Sequence, residues 1–276
     1  MKTVVFTDLD GTLLDFQNYS YQTAEPSVHQ LGQQEIPVVF CSSKTKAEQE
    51  YYRSALKNAD PFIVENGSAV FIPSGYFSFS VADQLSAQYN VVAEDDFEVV
   101  ILGETVATVR QGIEQGREEA NIHLFGYADL SLKEIQEITH LEEDFAQRAA
   151  TRNFSETLLK GDKSGETFRR FQDLLYSKGL SCVSGGKFHT VMGQGSDKGK
   201  AVDVLTQLFT QEFGEVHTIG LGDSANDLPL LQVVDTGYLV QKPDETWLTT
   251  DNENIKKVAG VGPEGWVKVA QSLIAV

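Results

Sequence analysis

Short apolar runs that stop abruptly at polar residues recur along the chain: Val4-Val5-Phe6-Thr7, Val38-Val39-Phe40-Cys41, His217 to Leu221 and Gly237 to Val240. Runs of this length without alternation suit strands buried on both faces of a parallel sheet. The segments that follow them carry a helical period. Thr45 and Glu48 make a capping box ahead of Ala47, Tyr51 and Ala55, and Ser196-Asp197 precede a run in which Ala201, Leu205, Leu208 and Phe209 share one face. Strand followed by helix, repeated, predicts an open α/β sheet. In such a sheet ligands bind outside the carboxyl ends of the strands, and there the chain places Asp8, Ser42 and Asp223.

After Phe62 to Gly67 and the strand-like Ala69 to Pro73 the texture changes. Val99 to Gly103 reads as a strand, and Ser131 with Glu134 caps a helix carrying Ile135 and Ile138. Mixed segments of this kind predict an inserted α+β domain. The expected division is a core from residues 1–80, an inserted domain from 81–187 and a return to the core over 188–276.

Composition narrows the picture. With 276 residues, 41% of them hydrophobic, the chain can bury one large core or two modest ones. No uninterrupted apolar stretch of roughly 18 residues is present, and the chain opens on a strand-like segment rather than a cleavable apolar one, so no membrane association and a cytoplasmic location are expected. Cys41 and Cys182 sit among apolar or small residues and are expected to be buried, reduced thiols. A net charge of −18 disfavours nucleic acid, whose phosphates are bound through surplus Lys and Arg. A small anionic substrate would need a local pocket in which cations and helix amino termini outweigh that field.

Two acidic clusters carry the chemistry. Asp8-Leu9-Asp10-Gly11-Thr12 stands where an apolar strand ends, and a turn permitted by Gly11 lets both carboxylates face one pocket. Gly222-Asp223-Ser224-Ala225-Asn226-Asp227 stands at another strand end, with two carboxylates four residues apart at the mouth of a short helix; Asp223 or Ser224 as a plain helix cap explains one acid but not the other. Acids gathered at a sheet edge repel one another, and a hard divalent cation with oxygen ligands, Mg²⁺ above all, relieves the repulsion. Ser42 and Lys198 supply the hydroxyl and ammonium that a phosphoryl group needs, although singly each reads as a helix cap and a surface lysine.

In this order, Asp8 to Thr12, Ser42, Lys198 and Gly222-Asp223 with Asn226-Asp227 resemble the four motifs of the haloacid-dehalogenase-like phosphatases. The resemblance implies a Rossmann-like parallel-sheet core with an inserted α+β cap domain. It also implies a nucleophile at Asp8 that forms an aspartyl-phosphate, a general acid and base at Asp10, a phosphoryl grip from Ser42 and Lys198, and Mg²⁺ held by Asp8, the Asp10 backbone carbonyl and Asp223 with Asp227 in support.

Longer stretches, Val39 to Glu48, Pro61 to Gly67, Arg152 to Glu156 and Gly195 to Val202, resemble the branch of that family that acts on mannosyl-3-phosphoglycerate, releasing mannosylglycerate. Relatives acting on glucosyl-3-phosphoglycerate or sucrose phosphate share parts of them, and a phosphosugar mutase is the rival outside hydrolysis. A small phosphorylated sugar or glycoside is therefore the expected partner. Its carboxylate and hydroxyls call for a cation and hydrogen-bonding groups, for which Arg152, Ser155, Glu156, Lys187 and His189 are the candidates. Ser43, Lys44, Glu65 and Asn66 are further candidates near the strand ends. Each has a plainer reading: Arg152 as a helix-end cation, Lys187 in an ordinary turn after Gly185-Gly186, His189 on an open strand face, Lys44 in a first helical turn, Glu65 and Asn66 in a turn. Thr157 stands where many relatives of this branch carry Pro.

Overall fold

The computed structural model describes residues 1–160, 165–184 and 188–275. The chain divides into two compact units, one made of Met1–Ser43, Gln49–Ile101 and the chain from Asp197 on, the other of Lys44–Glu48 and Leu102–Ser196.

The first unit opens with β1 (Lys2–Thr7), α1 (Glu25–Gln33), β2 (Val38–Cys41), α2 (Lys46–Ala55, its first turn counted with the second unit), β3 (Phe62–Val64), β4 (Ala69–Pro73), α3 (Val81–Leu85), β5 (Asn90–Glu94) and β6 (Phe97–Ile101). The second unit then supplies α4 (Val106–Ala120), α5 (Leu132–Thr139), α6 (Glu143–Ala150), β7 (Ser155–Leu159), α7 (Glu166–Ser177), β8 (Leu180–Ser184) and β9 (Phe188–Gly193). The chain returns to the first unit with α8 (Lys198–Phe213), β10 (Val216–Gly222), α9 (Leu228–Val233), β11 (Thr236–Gln241), β12 (Ile255–Val261) and α10 (Pro263–Ile274).

Among the described residues, nine strands form one sheet in the order β12-β11-β10-β1-β2-β3-β4-β6-β5. From β12 to β3 all pairs are parallel, and the buried apolar runs Val4-Val5-Phe6 and Val38-Val39-Phe40 lie at its centre. Because both faces of these strands are covered, they lack the alternation of half-exposed strands. β1 has β2 on one side and β10 on the other, so the strand order reverses there and leaves a crevice at the carboxyl ends of β1 and β10.

The stretch 81–101, grouped with the inserted domain on sequence grounds, lies in the first unit. β6 pairs antiparallel with both β4 and β5, so backbone hydrogen bonds tie this stretch to the large sheet. At the other junction the second unit runs on to Ser196, since β9 is the central strand of its sheet.

That smaller sheet has the order β7-β9-β8, antiparallel throughout. One of its faces is packed by α4 and α7 through Val109, Ile113, Leu158, Phe171, Leu175 and Val191. The capping boxes at Thr45/Glu48 and Ser131/Glu134 both form. Both cysteines are free, Cys41 buried and Cys182 half-buried on β8. No helix among the described residues is long and apolar enough to cross a membrane.

Candidate active site

The carboxyl end of β1 is fixed from two sides. The Asp8 amide donates to the Leu221 carbonyl at 2.9 Å, prolonging the pairing with β10, and the Thr7 hydroxyl takes a hydrogen bond from the Trp266 indole at 2.9 Å while donating to the Asp8 carbonyl at 2.7 Å. Asp8 thus leaves the strand directed into the crevice. The chain then folds tightly: Thr12 and Leu14 donate to the Leu9 carbonyl, and Gly11 donates to Leu14, which buries Leu13 and Leu14 beneath the turn.

Lys198 opens α8 and is only 1% exposed. Its ammonium donates to Asp8 Oδ1 and to Asp227 Oδ1, both at 2.6 Å. The helix that presents it is held by the loop after β3. There Gly67 has a φ of +90°, and a Cβ on it would sit 2.1 Å from the Asp197 carbonyl, so only glycine permits this approach. Asp197 caps the helix by accepting from the Lys200 amide at 2.9 Å.

After β10, Asp227 acts as the hub of its own loop. Its Oδ2 accepts the amides of Asp223 at 3.1 Å and Ser224 at 3.0 Å, leaving Oδ1 for Lys198. Asn226 donates to the Asn66 side chain at 3.1 Å, and the Asn66 amide donates to the Ser42 carbonyl at 2.9 Å. Hydrogen bonds therefore link the loops after β1, β2, β3 and β10 around one point.

Carboxylate oxygens of Asp8, Asp223 and Asp227 lie within 4.8 Å of one another, all three residues buried. One ammonium among three carboxylates leaves two negative charges uncompensated. Lys198, Asp8 and Asp223 accordingly all shift upward. Burial, then Asp227, push the Asp8 carboxyl to about 7 against the pull of Lys198; burial, Asp227 and Asp8 push Asp223 to about 8. Burial alone would lower the Lys198 ammonium, but Asp227 and Asp8 outweigh it and hold it above the ordinary lysine value. A hard divalent cation fits this donor set. All the ligand atoms are oxygens, and the Asp223 carboxylate has no hydrogen-bond partner among the described residues, whereas both Asp227 oxygens are engaged.

The family model described as haloacid dehalogenase-like hydrolase matches residues 5–253, a span that takes in both acidic clusters and Lys198. The chain belongs to the haloacid dehalogenase-like hydrolases. Two relatives extend the match. A protein of Methanococcoides burtonii named glucosyl-3-phosphoglycerate/mannosyl-3-phosphoglycerate phosphatase is 38% identical over 99% of this chain and 98% of its own. A mannosyl-3-phosphoglycerate phosphatase of Pyrococcus furiosus is 38% identical over 87% of this chain and 91% of its own. In fold, the sucrose-phosphatase of Synechocystis, solved with sucrose and phosphate, superposes with a TM-score of 0.61 at 16% identity, over 100% of this chain and 99% of its own.

Within this hydrolase the remaining candidates separate. Glu65 and Asn66 are buried and adopt left-handed φ values of 49° and 60°, and Ser68 Oγ donates to the Glu65 carbonyl at 2.8 Å. Their turn is a brace for the site. Ser43 ends the first segment of the first unit, and Lys44 forms a buried ion pair with Glu48 at 3.4 Å in the second unit.

In the smaller sheet, Glu156 pairs across with Val191, and Leu158 with His189, so these residues share the face packed by α4 and α7. Glu156 is 2% exposed; its Oε2 accepts from Arg110 Nε at 2.6 Å and its Oε1 from the Thr157 amide at 3.0 Å. His189 stacks on Phe168 of α7, ring centroids 4.5 Å apart, and its Nδ1 meets Ser184 Oγ at 2.9 Å. Ser155 lies on the opposite face, where Arg152 Nη1 donates to its hydroxyl at 3.0 Å. The sheet therefore does not bring Glu156 and His189 together with Ser155. Lys187 lies outside the described residues. Arg110, the partner of Glu156, escaped the sequence reading, for an Arg on an amphipathic helix looks like an ordinary solvent-facing residue.

Proposed function

We propose that this chain is a Mg²⁺-dependent phosphatase that removes phosphate from mannosyl-3-phosphoglycerate, with the glucosyl ester as its alternative substrate. The observation that carries the reading is the single buried ammonium of Lys198 shared between Asp8 and Asp227, with the Asp223 carboxylate alongside. The names of the relatives support the substrate, and both hexoses appear in the name of the Methanococcoides burtonii protein.

Asp8 attacks phosphorus, forming a carboxyl–phosphate bond as the ester bond to the glycerate oxygen breaks. Asp10, two residues further along the tight turn, gives that departing oxygen its proton. Asp10 then takes a proton from water; the water attacks the aspartyl-phosphate, releasing inorganic phosphate and restoring the Asp8 carboxylate. Lys198 and the Ser42 hydroxyl hold the oxygens of the transferring group, and the Lys198 ammonium opposes the burial that favours a neutral Asp8. Mg²⁺ held by Asp8, Asp223 and the Asp10 carbonyl would supply the positive charge that lets a carboxylate approach an anionic phosphate. Asp227, with both oxygens engaged, positions Lys198 and the Asp223 backbone. Arg152 and Ser155 are the cap residues we assign to the glycerate and sugar.

The test is phosphate release from mannosyl- and glucosyl-3-phosphoglycerate, sucrose 6-phosphate and simple sugar phosphates in saturating Mg²⁺. Preference for the two 3-phosphoglycerate glycosides is expected. An isomerised ester without free phosphate would identify a mutase instead and refute hydrolysis.

A further inference from the structure

Phe16 is an aromatic residue that the proposed chemistry leaves unused. It is 56% exposed, and it follows directly on the fully buried pair Leu13-Leu14 and the Asp15 turn. A Cβ placed on Gly11 would lie 3.3 Å from the Phe16 ring and 3.4 Å from Asp223 Oδ2. Ring edge and carboxylate thus flank the same glycine, at the rim of the buried aspartate cluster. Gly11 has a φ of +75°, so both its backbone and the space beside it exclude a side chain between them.

The ring is held there by a braced loop. Asp15 accepts the amides of Gln17 at 2.9 Å and Asn18 at 3.1 Å, and the Asp15 and Ser20 backbones close the turn at 2.9 Å, as do Tyr19 and Asp15 at 3.0 Å. Within residues 15–20 the single carboxylate, Asp15, turns its Oδ1 onto the loop's own backbone. What remains at the rim is an uncharged aromatic face. Its negative quadrupole repels anionic groups such as a phosphate or a glycerate carboxylate, while the polarised C–H face of a hexose packs well against it.

We infer that Phe16 is a specificity-determining residue that stacks on the uncharged sugar ring of the substrate and thereby selects glycosylated phosphate esters over simple ones. The inference rests on the proposed phosphatase activity and adds a contact that none of the motif residues provides. Phe16 touches no reacting atom, so its loss acts on substrate capture rather than on the phosphoryl transfer.

The experiment compares Phe16→Ala, Phe16→Tyr and the parent enzyme on mannosyl-3-phosphoglycerate and on acetyl phosphate, which has no sugar, in saturating Mg²⁺. For Phe16→Ala, kcat/KM on the glycoside falls about five- to tenfold, mainly through KM, while kcat/KM on acetyl phosphate stays within about twofold; Phe16→Tyr, which keeps the ring, restores the glycoside. Equal losses on both esters would assign Phe16 to support of the aspartate site and overturn the inference. Unchanged kinetics on both would overturn it as well. If the parent enzyme ignores the glycoside but hydrolyses another sugar phosphate, the substrate proposal fails separately, and the same comparison on that ester still decides the role of Phe16.

Discussion

Asp8 and Asp227 are both buried aspartates bonded to one lysine, yet the account gives them different work. Asp8→Asn keeps the shape and a hydrogen-bond acceptor but removes the nucleophile, so turnover falls to background while the folded protein is retained, checked by phosphate release alongside circular dichroism. Asp227→Asn keeps an acceptor for the Asp223 and Ser224 amides but takes a charge from Lys198; kcat/KM drops about 10- to 100-fold and the Mg²⁺ concentration for half activity rises. Equal effects of the two substitutions would argue against the division of roles. Asp8 and Asp223 were legible in the sequence because each stands where an apolar run ends, at a place the fold turns into a pocket, whereas Lys198 and Asp227 stood out only by their place in the order of the motifs. The cap candidates were less so. Strand alternation alone already forbids Ser155 and Glu156 from sharing a face, but the burial of Glu156 and its pairing with Arg110 depend on packing that no local pattern reports.

At the scale of the element, the decisive junction is the turn after β3 against the start of α8. Gly67→Ala adds a Cβ where the Asp197 carbonyl stands and a side chain where φ is positive. The helix start must move, carrying Lys198 with it. The substitution should destabilise the protein by about 1–3 kcal/mol and lower kcat further than stability loss explains, measured by urea unfolding and by assay below the unfolding transition. The buried strands and both capping boxes were readable because burial and cap chemistry leave local signatures. The hairpin β5–β6 was not assigned to the large sheet from sequence. Its pairing with β4 depends on backbone hydrogen bonds between distant residues, and nothing within Asn90–Glu94 or Phe97–Ile101 names the partner.

For the whole molecule, a net charge of −18 surrounds a site that must accept an anion, and the aspartate cluster concentrates that problem. The carboxyls of Asp8 and Asp223 titrate near 7 and 8 in the folded chain without cation, against about 3.9 when unfolded. The folded state binds more protons between these values, so stability from these groups is fully present below about pH 4 and is lost as pH rises toward 8. Mg²⁺ competes with those protons. The rise in Tm produced by Mg²⁺ should therefore be small at pH 5 and larger at pH 8, and a rise independent of pH would place the cation elsewhere.

The claim on which the rest depends is that phosphate passes through the Asp8 side chain. Enzyme turning over substrate is quenched with borohydride, which reduces an acyl phosphate to the alcohol, and its peptides are then weighed. The account predicts that residue 8 is converted from aspartate to homoserine, with a larger converted fraction in Asp10→Asn loaded from acetyl phosphate, whose leaving group departs without a proton so that only the hydrolytic step is slowed. Phosphate release with residue 8 unaltered in every peptide, or with the reduction found at Asp223 or Asp227, would contradict it.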